Sequence, residues 1–245
     1  MTGRNFGDRH FHLKPKSWFQ SANLAIDGII YSVKTQRHMR YHLYAALAAL
    51  VLSLLLNISR LEFILLCMAI VIVLATETMN TAIETTVDMI SEGFHPKAKL
   101  AKDIAAGVVL IASVGALMLA YLILYPALRN AIAGRQWRLA KAPHDVVAFV
   151  SLAVVIILVI ILKALVGRGE PLRGGMPSGH AAVSFSIWIA TLYLSDSLSI
   201  VVLTFLLASM VSWSRWSSGI HKLIEVVAGA LLGSGVTLLF FLVFS

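Results

Sequence analysis

TETMNTAIETTVDMISEGFHPKAKLAKD, residues 76–103, follows the apolar run 61–75 with no break signal between them. No Gly or Pro occurs from Leu61 to Glu92, so the spacing predicts one long helix. At about 100° per residue, Glu77, Asn80, Thr81, Glu84 and Asp88 fall within roughly a third of the helix circumference. Three carboxylates and an amide therefore share one face of a helix that enters a membrane. Ionisable groups in a bilayer cost on the order of 3 kcal/mol each or more, which marks this face as functional. The bland alternative is a polar stripe that holds helices together.

The membrane reading rests on composition. The 245 residues are 59% hydrophobic, the mean hydropathy is +0.86, and several apolar runs are long enough to span a bilayer. The expected fold is an all-α polytopic membrane protein with an N-terminal amphipathic surface helix and about seven transmembrane helices. The N-terminus is basic and polar and lacks the apolar core of a cleavable signal. The net charge of +8 sits in loops and ends. That suits anionic headgroups or phosphates and argues against nucleic acid as partner. Cys67 is the one cysteine, so no internal disulfide forms.

Outward from the opening stretch, residues 17–34 place Trp18, Ala22, Ile26, Ile29 and Val33 on an apolar stripe. Gln20, Asn23, Asp27 and Lys34 lie opposite, as in a helix resting on the membrane surface. His10 and His12 belong to a polar tail read as solvated. A basic step, residues 36–42, precedes the first span at 43–56. A turn at 57–60 leads into the second span, 61–88, which Gly93 and Pro96 end. Lys97, Lys99 and Lys102 introduce the third span, 104–125, with Pro126 read as its stop. Residues 129–145 form a basic linker, which divides the chain into domains 1–128 and 146–245. The second domain has spans at 146–162, 181–194, 200–213 and 223–244. Polar loops at 163–180 and 214–222 separate them.

Phosphoryl transfer needs a base near the acceptor hydroxyl, a metal to bridge phosphates and cations to hold them. The first half offers all three. Glu77 lies deepest and suits a lipid hydroxyl. Glu84 and Asp88 lie nearer the interface, within reach of a nucleotide's magnesium. The three lysines suit phosphates. No Gly-rich phosphate loop is present, which excludes the ordinary soluble nucleotide folds. The surface helix with AIDGI, the QRHMRYH step, the ETMNTAIETTVD helix and HPKAKLAKD resemble the prokaryotic diacylglycerol kinase family, especially its undecaprenol kinase branch. The resemblance covers residues 17–124. It implies Glu77 as general base, Glu84 as the principal magnesium ligand and Asn80 as an active-site polar partner at the nucleotide. It also implies Lys102 and Asp103 at the nucleotide, and a trimer with sites between subunits. Gln36 stands where the family pattern carries a second metal-binding glutamate. Its amide oxygen can still ligate magnesium, without charge.

The second half gathers Lys163, Arg168, Arg173 and His180 around one loop and Arg215, His221 and Lys222 around the next. A single cation at a span end usually snorkels to the interface. Two histidines among several cations suit phosphate-ester chemistry instead, one imidazole attacking phosphorus and the other protonating the leaving alcohol. Ser178 and the amides of Gly179 and His180 open a helix, a place suited to an anion. Glu225, one turn after His221, can orient its ring. KALVGRGEP from Lys163, MPSGH ending at His180 and S-R-x5-H-x3-E from Ser214 closely resemble the three motifs of the type-2 phosphatidic acid phosphatase superfamily. The resemblance implies a metal-independent reaction with His221 as nucleophile and His180 as acid. Lys163, Arg215, Ser178 and Gly179 would bind phosphate. Glu170 stands where that family usually has Arg before Pro171, with Arg168 available to supply the charge. Glu225 stands where it usually has Asp. The family core has six spans against four here, so the first-half spans or another subunit are expected to complete the packing.

Together these readings predict a bifunctional multi-pass enzyme of the bacterial inner membrane. It would use ATP and magnesium in the kinase half and no cofactor in the phosphatase half, with membrane lipids as partners and a homo-oligomeric assembly. Undecaprenol and undecaprenyl diphosphate are the favoured substrates. Diacylglycerol with phosphatidate or phosphatidylglycerophosphate is the alternative, as is a chain with one half acting only as a scaffold. Counting spans places both sites on one membrane face, the cytoplasmic one if ATP is used. The basic linker 129–145 is then outside, against the positive-inside rule.

Overall fold

The computed structural model describes residues 18–56, 58–91, 93–133, 142–166 and 175–245. Eight helices account for nearly all of them: α1 (Trp18–Thr35), α2 (Arg37–Leu55), α3 (Arg60–Ile90), α4 (Pro96–Ile132), α5 (His144–Val166), α6 (Gly179–Leu194), α7 (Leu198–Ser217) and α8 (Leu223–Phe244). No strand occurs among the described residues. The fold is an all-helical membrane architecture, with six helices among the described residues long and apolar enough to cross a bilayer. The expected seventh span is α6. Its 16 residues rise only about 24 Å, short of the roughly 30 Å hydrocarbon core.

Several helices run further than their apolar cores. α2 begins at Arg37, so the basic step forms its first turns. α3 starts on a capping box in which the Ser59 hydroxyl accepts from Glu62 N–H and the Glu62 carboxylate accepts from Ser59 N–H. α4 opens with Pro96 in its first turn and continues through Pro126 to Ile132. Pro126 therefore does not stop the third span. Proline removes one ladder bond, and the helix continues through it because the remaining bonds on either side hold. Stacked Tyr121 and Tyr125 rings, 5.1 Å apart, flank it. Arg215 belongs to the last turn of α7 and not to a loop.

One core joins the two halves. Met39, Leu43, Ala46, Leu50 and Leu54 of α2 pack with Val147, Val150, Val154, Ile157 and Ile161 of α5. Val33 of α1 and Phe240, Phe241 and Phe244 of α8 enter the same cluster. Arg60 pairs with Asp145 at 2.8 Å, which ties the start of α3 to the start of α5. The two helices run the same way from that point, so the polar end of α3 and Lys163 of α5 lie at one end of the bundle.

The second half closes through small residues. α6 and α8 run parallel, with Gly229 against the backbone of Ser178 and Gly233 against the backbone of Ala182. One further turn along, the Ser186 and Thr237 hydroxyls bond at 2.6 Å. A side chain at either glycine would collide with backbone. Gly233→Ala is therefore expected to cost about 1–3 kcal/mol and to lower the melting temperature in detergent. Gly235→Ala, which meets open space, should not.

Candidate active sites at one end of the bundle

Burial decreases along the α3 stripe. Glu77, Asn80 and Thr81 are buried, Glu84 is half-buried and Asp88 is exposed. His38 and His42 of α2 lie near enough to act on the Glu77 charge. The Glu84 carboxylate accepts two amide hydrogen bonds, from Gln36 Nε2 at 2.8 Å and from Asn80 Nδ2 at 3.0 Å. Asn80 Oδ1 is buried without a partner. Lys102 bonds Asp88, while Asp103 pairs with Lys99 at 2.6 Å. The structure thus brings Gln36, Asn80 and Glu84 together and links Lys102 to the stripe through Asp88. Asp103 is turned to its own helix. A cavity of about 380 Å³ opens beside the stripe between α1 and α3, lined by Gly28, Ile29, Ser32, Thr78, Thr81 and Thr85 among others.

This donor set fits a divalent ion delivered with a nucleotide. It offers one carboxylate, the free Asn80 oxygen, and the Gln36 oxygen once that amide turns over. Magnesium commonly takes one or two carboxylates and completes its shell with phosphates and water. No group of three His, Cys, Asp or Glu side chains able to hold an ion alone occurs among the described residues.

The second cluster forms where α5, α6, α7 and α8 end or begin. Gly219 at φ 65° turns the chain after α7, and His221 N–H then bonds Arg215 O at 3.1 Å. His221 is buried and its Nδ1 lies 2.8 Å from Glu225 Oε2. Glu225 also accepts from Lys222 N–H at 3.2 Å and from the backbone of Gly175. Its own carbonyl accepts from Ser178 N–H at 2.9 Å, which locks the start of α6 onto α8. Lys163 is buried, and Glu225 and Asp27 are the carboxylates that act on its charge. His180 is half-buried, within the field of Arg215, His221 and Lys163. Gly179, half-buried, lies where an added Cβ would stand 3.3 Å from Val159 of α5. Arg168, Arg173, Glu170 and Pro171 lie outside the described residues.

Three polar atoms here are buried without partners: Ser178 Oγ, Arg215 Nε and His221 Nε2. Buried polar groups are normally satisfied. A tetrahedral oxyanion would accept from the first two. Burial pushes the His221 imidazole below its ordinary value, and Lys163 and Arg215 push it further, while Glu225 pulls the other way. A neutral ring with Nδ1–H donated to Glu225 leaves the Nε2 lone pair in the cluster.

Sequence reasoning missed Asp27, which it assigned to the water-facing side of the surface helix. Asp27 is half-buried, and it lies within one-third of a turn of the buried Ile30 on the face that packs against α5. Its place about 60° from Ile30, an apolar residue outside the stripe, was the available signal.

Residues 23–124 match the prokaryotic diacylglycerol kinase family, and residues 146–245 match the PAP2 superfamily. The undecaprenol kinase of Bacillus subtilis is 38% identical over 111 residues, 45% of this chain and 90% of the relative. The diacylglycerol kinase of Synechocystis sp. is 32% identical over 123 residues, 47% of this chain and 70% of the relative. The chain belongs to the prokaryotic diacylglycerol kinase family. It fuses that kinase domain to a PAP2 phosphatase domain. A diacylglycerol kinase of Haemophilus influenzae is 29% identical over 92 residues, 38% of this chain and 78% of the relative. No solved structure matches the chain. The two families support lipid kinase and lipid phosphatase activities. The kinase family implies ATP and a divalent metal, and PAP2 phosphatases are typically metal-independent.

The kinase domain's Gln36 offers a direct test of its metal site. Gln36→Glu replaces a 2.8 Å hydrogen bond by two facing carboxylates. Without metal the variant is expected to melt lower than the parent. Magnesium should stabilise it more than it stabilises the parent, as seen in melts with chelator and with added ion.

Proposed function

We propose that the chain phosphorylates a membrane lipid alcohol with ATP and dephosphorylates a lipid phosphate or diphosphate, at two sites on the same membrane face. The cluster of unpartnered buried atoms around His221 carries the phosphatase reading, because it is a built oxyanion receptor beside an oriented imidazole. In that half, His221 Nε2 attacks phosphorus while Lys163, Arg215, Ser178 and the Gly179 amide hold the oxygens. His180 protonates the departing oxygen. A phosphohistidine forms, and His180 then takes a proton from the water that releases phosphate. Arg168 adds a further charge to the phosphate contacts.

In the kinase half, Glu77 accepts the proton of the lipid hydroxyl and that oxygen attacks the terminal phosphorus of ATP, whose bond to the bridging oxygen breaks so that ADP departs. Glu84, with Gln36 and Asn80, would hold the metal, which supplies neutralisation of phosphate charge. Lys102 and Asp103 meet the nucleotide. Undecaprenol and undecaprenyl diphosphate are the favoured substrates. A kinase and a phosphatase acting on one monophosphate would only consume ATP, whereas these two substrates both give undecaprenyl monophosphate. The similarity to a relative named undecaprenol kinase supports the choice. A paired diacylglycerol kinase and glycerolipid phosphatase is the alternative. The chain would act in the bacterial inner membrane as a homo-oligomer, with the trimer as the favoured assembly, and with domains 1–128 and 146–245 and linker 129–145.

Labelled ATP with undecaprenol or diacylglycerol, and phosphate release across polyprenyl and glycerolipid phosphates, test both halves. His221→Ala should lower release by roughly 10³-fold or more. Because burial disfavours the charged imidazole, the acid limb of kcat/KM should lie below about 6.5. Glu225→Gln, losing a contact that favours the charged ring, should move it lower still. An acid limb above the ordinary histidine value would refute the neutral nucleophile.

Sidedness has its own test. In a Cys67→Ala background, Ser218→Cys lies at the end of α7 beside the sites and Ser197→Cys at the opposite end. The first should be labelled only from the cytoplasm and the second only from outside. The reverse pattern would turn both sites outward.

A further inference from the structure

Lys163 stands in the last turn of α5 as a buried cation, 7% exposed. It follows Val159 by one turn, on the face that meets Ala182 of α6 and Leu232 of α8. A charge taken out of water needs an opposite charge close by. Among the described residues, the carboxylates that act on it are Glu225 of α8 and Asp27 of α1. Glu225 is already engaged. Its Oε2 takes His221 Nδ1 at 2.8 Å and Lys222 N–H at 3.2 Å, and its carboxylate accepts from the Gly175 backbone. Asp27 comes from the other domain.

Packing brings it there. α1 lies against α5, and Ile29 and Val33 share one core with Ile161 and Ala164, which flank Lys163 in sequence. Asp27 is half-buried and stands about 60° round α1 from Ile30, which is 2% exposed. The cavity beside the Glu77 stripe is lined from α1 by Ala25, Gly28, Ile29, Tyr31 and Ser32, and Asp27 is not among them. One surface helix therefore gives its small and hydroxyl residues to the kinase side and a carboxylate to the field of Lys163.

We propose that Asp27, a residue of the kinase domain, is a positioning residue of the phosphatase site, its carboxylate holding the Lys163 ammonium where the phosphoryl oxygens of the substrate arrive. A lysine at a helix end otherwise carries its ammonium out to the interface. The site then loses a phosphate ligand although the lysine is still present. The inference rests on the phosphatase reading above and adds to it a group from outside the 146–245 domain.

The test uses the full chain in nanodiscs. Phosphate release from polyprenyl and glycerolipid phosphates, ATP-dependent phosphorylation of lipid alcohol, and orthovanadate affinity from melting shifts are read on the same preparations. Asp27→Asn should raise KM for release and weaken orthovanadate binding about tenfold, the factor that one charge-assisted hydrogen bond supplies. Turnover at saturation should change much less, and the kinase rate should stay at the parent level. Asp27→Glu, which keeps the charge, should restore most of the affinity. In a Lys163→Met background, Asp27→Asn should weaken orthovanadate no further, because the partner it acts through is gone. Additive losses in that cycle, or equal falls in both activities that Asp27→Glu does not rescue, would make Asp27 a packing residue of α1 and overturn the inference. Parent-level release by Lys163→Met would instead sink the phosphatase reading beneath it.

Discussion

Helix α5 is buried from both sides. Val147, Val150, Val154, Ile157 and Ile161 meet α2 and the surface helix, while Val155 and Val159 meet α6 and α8. A bilayer supplies no hydrophobic force to drive such contacts, so they persist through packing and complementary shape. The pattern explains how a phosphatase domain with four helices is stable here. The first-half helices α1 and α2 pack against α5, which is one of the two ways the sequence offered for completing that core.

The parallel α6–α8 pair imposes a second geometric requirement. Ser178 N–H on the Glu225 carbonyl fixes where α6 begins relative to α8, and Gly229 and Gly233 let the backbones approach. His221 and Ser178 are thereby held side by side although 43 positions separate them in sequence. The same contact leaves Ser178 Oγ and His221 Nε2 with nothing to bond. Packing strength elsewhere offsets the cost of those unsatisfied atoms, a distribution typical of functional sites.

Much of this was legible in the chain. The uninterrupted stretch from Leu61 to Glu92 gave a helix ending at Ile90, because nothing in it breaks the ladder. The loop motifs gave the cluster around His221 because their order fixes which helix ends must meet. Pro126 misled, since a proline removes only one ladder bond and the helix runs on to Ile132. Asp27 misled because amphipathicity reports polarity and not which neighbour occupies the polar side. The amide clasp on Glu84 was also beyond reach. Gln36 reads as a weaker metal ligand in sequence, yet in space it is a donor that holds the carboxylate. Long-range facts of this kind, like the Arg60–Asp145 pair, depend on how helices pair, which periodicity does not encode.

The shared core also has a genetic meaning. With Leu43, Leu50 and Val33 packed against α5, a lesion in the first half that never touches its chemistry removes support from the second. A packing lesion of this kind would disturb both domains at once, whereas a substitution confined to the chemistry of one site would leave the other domain intact. The ratio of the two domains is likewise fixed at one to one in every molecule, whatever the expression level. No change of expression level alters the proportion of one domain to the other.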